Sequence, residues 1–420
     1  MSLDASAQEL FLRLCAETAN AEHSTDRASK NLSGIWSQVD SPVWQELVSC
    51  FAAQQGRQYA TFGLQLLRHG VALLRQSSPT KELDDRLLSD LFQLYAEASP
   101  KSDSTFQAMV LNLLASAPQE SAWETFVKAL AEHTPEDPRD IVLAMGPLFS
   151  DVPEKLVASL FPALSDYLGK ITLAAPILDL ANFYTRRHCV SEHPLKSRAT
   201  SLAEMLGQMA QRVLQLEESP PESQEELVRR GQQVHDSVAI MIGLVDALAL
   251  IDDPQYVGKI YPLLDIAHRR LRVEAASALA KLGEKAGAEA LCELAAESSV
   301  RLRVLAYAEE LGIDEQIDES FRLPESRAEG ELVAWLAEPT QFAVPPDEVS
   351  LFDQRSLYWP GFDDPIDCFL FRFNYSRETG LENIGIAGPG AKTVACDLLD
   401  LPPQQIYSLF AGLDAEHNDI

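Results

Sequence analysis

Two copies of one tripeptide, LRV at 271–273 and LRV at 302–304, sit 31 residues apart. Carrying that interval one step back sets Ala278-Leu279 over Ala247-Leu248. VDALALIDDPQYVGKIYPLLDIAHRRLR then aligns without a gap on ASALAKLGEKAGAEALCELAAESSVRLR. Each unit reads as a helix, a short loop, a second helix and a turn. A hairpin of this kind is apolar on one side and cannot cover that side alone. Stacking on its neighbours solves the burial problem, so the repeat predicts an α-solenoid of helical hairpins.

The segment LRVEAASALAKLGEKAGAEALCELA matches a short motif: an aliphatic residue and Arg, then Ala-Ala-x-Ala-Leu, then Leu-Gly before a loop. Leu271, Arg272, Ala275, Ala276, Ala278, Leu279, Leu282 and Gly283 fill it. In this the chain resembles the HEAT-like repeats of the type also found in phycobilisome lyases. The small alanines let one helix lie close against that of the previous repeat. The next unit keeps Leu302, Arg303 and Ala306 but has Tyr307 at the second alanine, and the preceding unit has Met241 at the arginine. The resemblance spans about residues 238–312 and implies that Arg272, Arg303, Gly283 and Gly312 are structural positions of the repeat.

Helical punctuation runs from the start to about residue 320. Ser41-Pro42 opens VWQELVSCFAAQQ and Gly56 closes it, while Ser78-Pro79 and Asp137-Pro138 mark further starts. Ser121 with Glu124, and Ser223 with Glu226, have capping-box spacing. Residues 21–34 and EESPPESQEE from Glu217 read as connections. Beyond residue 320 the chain turns rich in Pro and Asp; DCFLFRFNYS and ENIGIAGPG then read as strands and LPPQQIYSLFAGLDAEH as a final helix. The expected organisation is mainly α: a helical-hairpin array over 1–216, HEAT-like repeats over 225–320, and a small C-terminal α+β module over 340–420 that covers the last repeat.

Composition narrows function. Acidic residues outnumber basic ones 63 to 34, a formal charge of -29, which repels a phosphate backbone and weighs against nucleic-acid binding. Six scattered cysteines without a Cys-x-x-Cys pair read as reduced thiols, so a cytoplasmic location is expected. The N-terminus has no basic residue before Arg13 and no long apolar core, unlike a secretory signal. The most apolar stretch, VAIMIGLVDALALI, carries Asp246 and falls short of the ~18 residues of a membrane span, so no membrane partner is expected.

Four places invite a chemical reading. NIGIAGPGAKTVACDLLD, Asn383 to Asp400, has the look of a phosphate-cradling loop, but Ile386 and Ala391 occupy the positions where a Walker-type loop needs glycine. It reads as strand, tight turn and helix start, with Gly388 and Gly390 serving backbone geometry and Lys392 facing solvent. In RRHCVSEH, His188, Cys189, Glu192 and His193 are metal-ligand types. On one helix they spread over different faces and no second cluster completes a set, so a helix end is expected and no metal or cofactor. Arg270 and Arg301 share one repeat position, Arg272 and Arg303 another, and Arg269 extends the run. Either Arg269, Arg270 and Arg301 form a positive stripe for an acidic peptide or phosphate, or the arginines bond neighbouring repeats. Around Tyr358, Trp359, Asp363 and Asp364, Trp359 is either a core anchor or part of a partner-binding edge.

With no coherent catalytic set, the sequence predicts a non-catalytic interaction or scaffold protein that offers an acidic helical-repeat surface to a protein partner. A lyase-like enzyme sharing the repeat is the alternative, and nucleic-acid binding ranks behind it.

Overall fold

The computed structural model describes residues 5–21, 35–53, 60–76, 82–98, 103–219, 223–375, 383–395 and 403–412. All of the expected connection at 21–34 except Ala21, which ends α1, lies outside them, as do Gly56, Ser78-Pro79, Pro220-Pro221 and the end of the glycine-rich stretch, Cys396 to Asp400. By compactness the chain divides into two units, Met1–Leu202 with His235–Ile251, and Ala203–Val234 with Asp252–Ile420.

The first unit is helical throughout its described elements: α1 (Ala5–Ala21), α2 (Ser41–Ala53), α3 (Ala60–Gln76), α4 (Asp85–Glu97), α5 (Ser104–Ala115), α6 (Glu120–Glu132), α7 (Pro138–Met145), α8 (Glu154–Leu164) and α9 (Ile171–Arg186). Two more helices, α10 (Ala199–Glu218) and α11 (Gln224–Ile251), begin or end in it. Helices pack on those two places along the chain: α2, α4, α6 and α8 follow one another in one row, and α3, α5, α7 and α9 in a second. Every residue of α5 from Gln107 to Ala115 is buried, so this helix is apolar nearly all round. The two polar residues of that buried stretch are satisfied by neighbours. Gln107 donates to the carbonyls of Tyr95 (3.1 Å) and Ala98 (3.2 Å), and Asn112 to that of Leu143 (2.6 Å). Trp44, 2 % exposed, donates its indole N–H to the Leu66 carbonyl at 2.8 Å.

Capping chemistry explains the helix starts, with two corrections. Asp137 and Pro138 open α7 as expected, and the Ser223 hydroxyl accepts from the Glu226 N–H at 3.1 Å. At α2 the side chain that caps is Asp40, bonded to the Val43 N–H at 3.1 Å, with Ser41 already helical. Helix α6 starts at Glu120, before the expected box. Its flanking Gln119 is held instead by the Leu83 backbone, at 2.7 Å to N–H and 2.9 Å to carbonyl. Within α11, Val228–Ile251 is long and apolar enough to cross a membrane by length and composition, and half of its most apolar window is buried. The helix extends N-terminally past the apolar stretch that the sequence reading judged too short.

The second unit continues with α12 (Val257–Ile260), α13 (Arg269–Lys281), α14 (Lys285–Leu294), α15 (Ser298–Leu311), α16 (Glu319–Arg322) and α17 (Pro324–Leu336). Helices α13, α15 and α17 pack in sequence, and α14 lies against α13 and α15 around Val273, Ala276, Leu291 and Val304. The turn residues Gly283 and Gly312 have φ of +84° and +67°, which glycine adopts without penalty and which suits the end of a helix.

A four-stranded antiparallel sheet follows, in the order β1 (Glu348–Leu357), β2 (Ile366–Asn374), β3 (Asn383–Gly388) and β4 (Ala391–Ala395), with α18 (Pro403–Gly412) after it. Both faces of β2 are covered. Phe369, Phe371 and Phe373 pack with Ala328, Leu332 and Leu336 of α17, while Cys368 and Leu370 pack with Ile406 and Phe410 of α18. Helix α17 therefore joins repeat to sheet: Gly330 lies against Leu302 of α15 and Leu332 against Gly385 of β3. Two strands depart from expectation. EVSLFDQRSL is β1, and AKTVA, read as a helix start, is β4.

The glycine-rich stretch is the β3–β4 hairpin. Pro389 followed by Gly390 at φ +75° is the residue pattern of a type II turn. A Cβ on Gly388 would stand 2.5 Å from the Asp367 carbonyl, so the strands meet there only around glycine. Lys392 is exposed and lies 3.4 Å from Glu331 of α17.

Candidate binding groove

The successive helices α13, α15 and α17 leave a groove of about 1130 Å³ along one side of their row. Small residues make it: Ala306 of α15 and Gly330, Ala334 and Ala337 at the α17 end fill little space between the backbones. Arg269, Arg270, Arg303 and Tyr307 line this trough, and among the described residues none that lines it is acidic.

Two glutamates arrange the arginines from behind. Glu274 is 9 % exposed; it accepts from Arg303 Nη1 at 2.7 Å and from the Tyr307 hydroxyl at 2.5 Å, and Arg270 Nε is 3.8 Å away. Glu297 accepts from Arg272 Nη2 at 2.7 Å, and Arg269 Nε lies 3.0 Å from its other oxygen, in ion-pair contact but off hydrogen-bond geometry. Four guanidiniums meet two carboxylates there. A third carboxylate, Glu217, accepts from the N–H of Ala267 at the groove, so at this place, among the described residues, arginines still outnumber carboxylates in a chain of net charge -29. The side chains of Arg269 and Arg270 are 52 % and 55 % exposed, so these two are the ones free to turn towards a ligand. Burial, and then the bond to Glu274, push the Tyr307 hydroxyl up to about 12, so it stays a donor at neutral pH.

Of the residues expected in the stripe, Arg269 and Arg270 line the groove, but Arg301 does not. Arg301 is 4 % exposed. It donates to the carbonyls of Ala295 (2.9 Å) and Ala296 (3.2 Å) at the end of α14, to that of Ser326 (2.9 Å) and to Glu329 (2.9 Å). Its guanidinium also lies over the Phe321 ring. The end of α14 leaves the carbonyls of Ala295 and Ala296 without a helical partner, and the arginine at the shared repeat position is drawn inward to meet them. Arg270 and Arg301 therefore form no ladder. Arg272 bonds Glu297, which precedes α15, and Arg303 bonds Glu274 of α13.

Trp359 is half-buried against the β-sheet core on the α18 side, an anchor, and it does not line the groove. Around it Tyr358, Phe362, Asp363 and Asp364 are exposed. Glu274, Glu297 and the small residues of α17 escaped the sequence reading. The signal for one of them was present: Tyr307 stands where the repeat motif calls for alanine, and it is the side chain that fixes Glu274.

The RRHCVSEH segment is built otherwise. Helix α9 ends at Arg186, and His188 takes φ +55°. His188 and Glu192 are exposed, whereas His193 is 4 % exposed. No group of three or more metal-ligating side chains occurs among the described residues. His193 Nδ1 accepts from the Leu195 N–H at 3.2 Å, so Nε2 carries the proton and donates to Asn182 Oδ1 at 3.0 Å. Asn182 in turn donates to the Gly243 carbonyl at 3.1 Å. Burial lowers the His193 pKa from 6.5 to about 4. As pH falls below 6.5 the unfolded chain takes up this proton first, so stability is lost down to about 4. Between pH 7 and pH 5 the loss from this group is expected to be about 2 kcal/mol. Urea denaturation of wild type and His193→Gln at both pH values checks it: the variant lacks that part of the pH dependence.

Comparison with protein-family models, with curated proteins and with solved structures finds no match to this chain.

Proposed function

We propose that the protein is a non-catalytic interaction module of HEAT-like α-solenoid type, and that its groove takes an acidic segment of a protein partner. One observation carries the reading: in a strongly acidic chain, a groove of about 1130 Å³ has three arginines, several apolar side chains and, among the described residues, no acidic lining residue. A trough with apolar side chains and a cationic edge suits an amphipathic segment whose polar side is glutamate or aspartate. Such charge complementarity governs encounter and orientation, while the apolar side chains supply burial. The free thiols Cys15, Cys50, Cys189, Cys292 and Cys368 fit a reducing compartment, and we place the protein in the cytoplasm.

A fluorescein-labelled amphipathic peptide with glutamates on its polar face tests this by anisotropy. Joint replacement Arg269→Glu and Arg270→Glu is expected to weaken binding by at least ~10-fold, and raising salt to weaken it in the wild type. Equal binding of a peptide with lysines at the same positions, or an unchanged affinity in the double variant, would sink the proposal.

A further inference from the structure

A second cavity, of about 400 Å³, lies where α16 and α17 meet the sheet beside the β3–β4 turn. Arg322, Arg327 and Glu331 stand on its helical wall, and Asp367 and Pro389 on the sheet side; the buried Ala328 and Phe369 floor it. The arginines of α13 and α15 are all in ion-pair contact with a carboxylate. Among the described residues Arg322 and Arg327 have no such contact, though the Arg322 charge reaches Asp318 and, after the Ser320 hydrogen bonds, helps to lower its pKa. Arg327 Nε donates to the Arg322 carbonyl at 3.2 Å, which ties the two together. Arg322 Nε is buried with no hydrogen-bond partner. Glu331 is met by Lys392 at 3.4 Å, so its charge is already opposed.

Two guanidiniums beside an open cavity with no carboxylate in ion-pair contact call for an acceptor, and an oxyanion supplies both the lone pairs and the charge. Arginine's planar fork matches the oxygen spacing of phosphate and carboxylate alike. We propose that this cavity is a binding site for the oxyanion group of a small molecule, a phosphate or a carboxylate, held by Arg322 and Arg327. It is independent of the groove. Asp367 on the facing wall tempers affinity for an anion and favours ligands that place a positive or neutral group towards the sheet.

Isothermal titration of the full chain with inorganic phosphate, and separately with acetate, tests the assignment and tells the two oxyanions apart. Saturable binding of at least one is expected. Arg322→Met is expected to weaken it ~10-fold or more, and Asp367→Asn to strengthen it. Arg139→Met, an exposed arginine of α7, is expected to leave it unchanged. Should Arg322→Met unfold by circular dichroism, Arg322→Lys keeps the charge without the fork and is expected to bind more weakly than wild type. Saturation by neither probe, or equal affinity in the folded Arg322 variant and wild type, overturns the proposal.

Discussion

Arg301→Met is expected to lower stability by about 3–5 kcal/mol, whereas Arg270→Met, at the same position one repeat earlier, shifts it by ~0.5 kcal/mol or less. The reason is placement. Arg301 is 4 % exposed, and its loss strips donors from the carbonyls of Ala295, Ala296 and Ser326 and leaves Glu329 without its partner. Methionine fills part of the space but donates nothing, so several acceptors lose their partner together. The Arg270 side chain is 55 % exposed and its contact with Glu274, at 3.8 Å, is long. Urea denaturation of the two variants under identical conditions makes the comparison. Similar losses in both would mean that the repeat position, and not the carbonyl-rich surroundings, sets the energetics.

Gly287→Ala is the second large effect, expected at about 3 kcal/mol. Helix α14 crosses α13 so closely there that a Cβ would lie 2.3 Å from the Ala280 nitrogen, 2.6 Å from the Ala276 carbonyl oxygen and 2.8 Å from the Leu279 carbonyl carbon. All three atoms are backbone, so no rotamer change relieves the clash and the helices must separate. That opens the cluster of Val273, Leu291 and Val304, which is the core of the repeat. At Gly258 a Cβ meets nothing within 4 Å, and Gly258→Ala is expected to be neutral or slightly stabilising. Thermal unfolding of the two variants separates close packing from the general preference of helices for alanine.

The sequence was readable where a local rule had no competitor. Asp137-Pro138 and Ser223 marked true helix starts because capping is settled within one turn. Ser121 and Glu124 had the same spacing, but Gln119, fixed by the Leu83 backbone, won the helix start through a contact from far along the chain. Strand β1 lacked a period-2 signal because most of its residues are exposed and only Leu357 is buried, and its register shifts between Leu351 and Asp353. In β2 the alternation was visible and real, yet the two faces meet different helices, Phe369 and Phe371 on one side and Cys368 and Leu370 on the other. Helix α17 serves α15 and the sheet at once, and no property of its own sequence announces the second duty.

The groove was half legible. Arg269 and Arg270 stood out by charge, whereas Arg301 carried the same charge at the same repeat position and went inward. What separates them is the neighbouring chain: the end of α14 and the start of α17 offer Arg301 acceptors that Arg270 does not meet. Gly330, Ala334 and Ala337 gave no chemical signal, because a trough is made by what small residues leave unfilled.

Hydrogen–deuterium exchange of the full chain, with and without the glutamate-faced peptide, tests the central claim most directly. If the groove is the binding surface, the peptide should slow exchange in α13, α15 and α17, around Arg269–Glu274, Arg303–Tyr307 and Gly330–Ala337, and little elsewhere. Slowed exchange confined to other helices, or none at peptide concentrations that saturate the anisotropy signal, would contradict it.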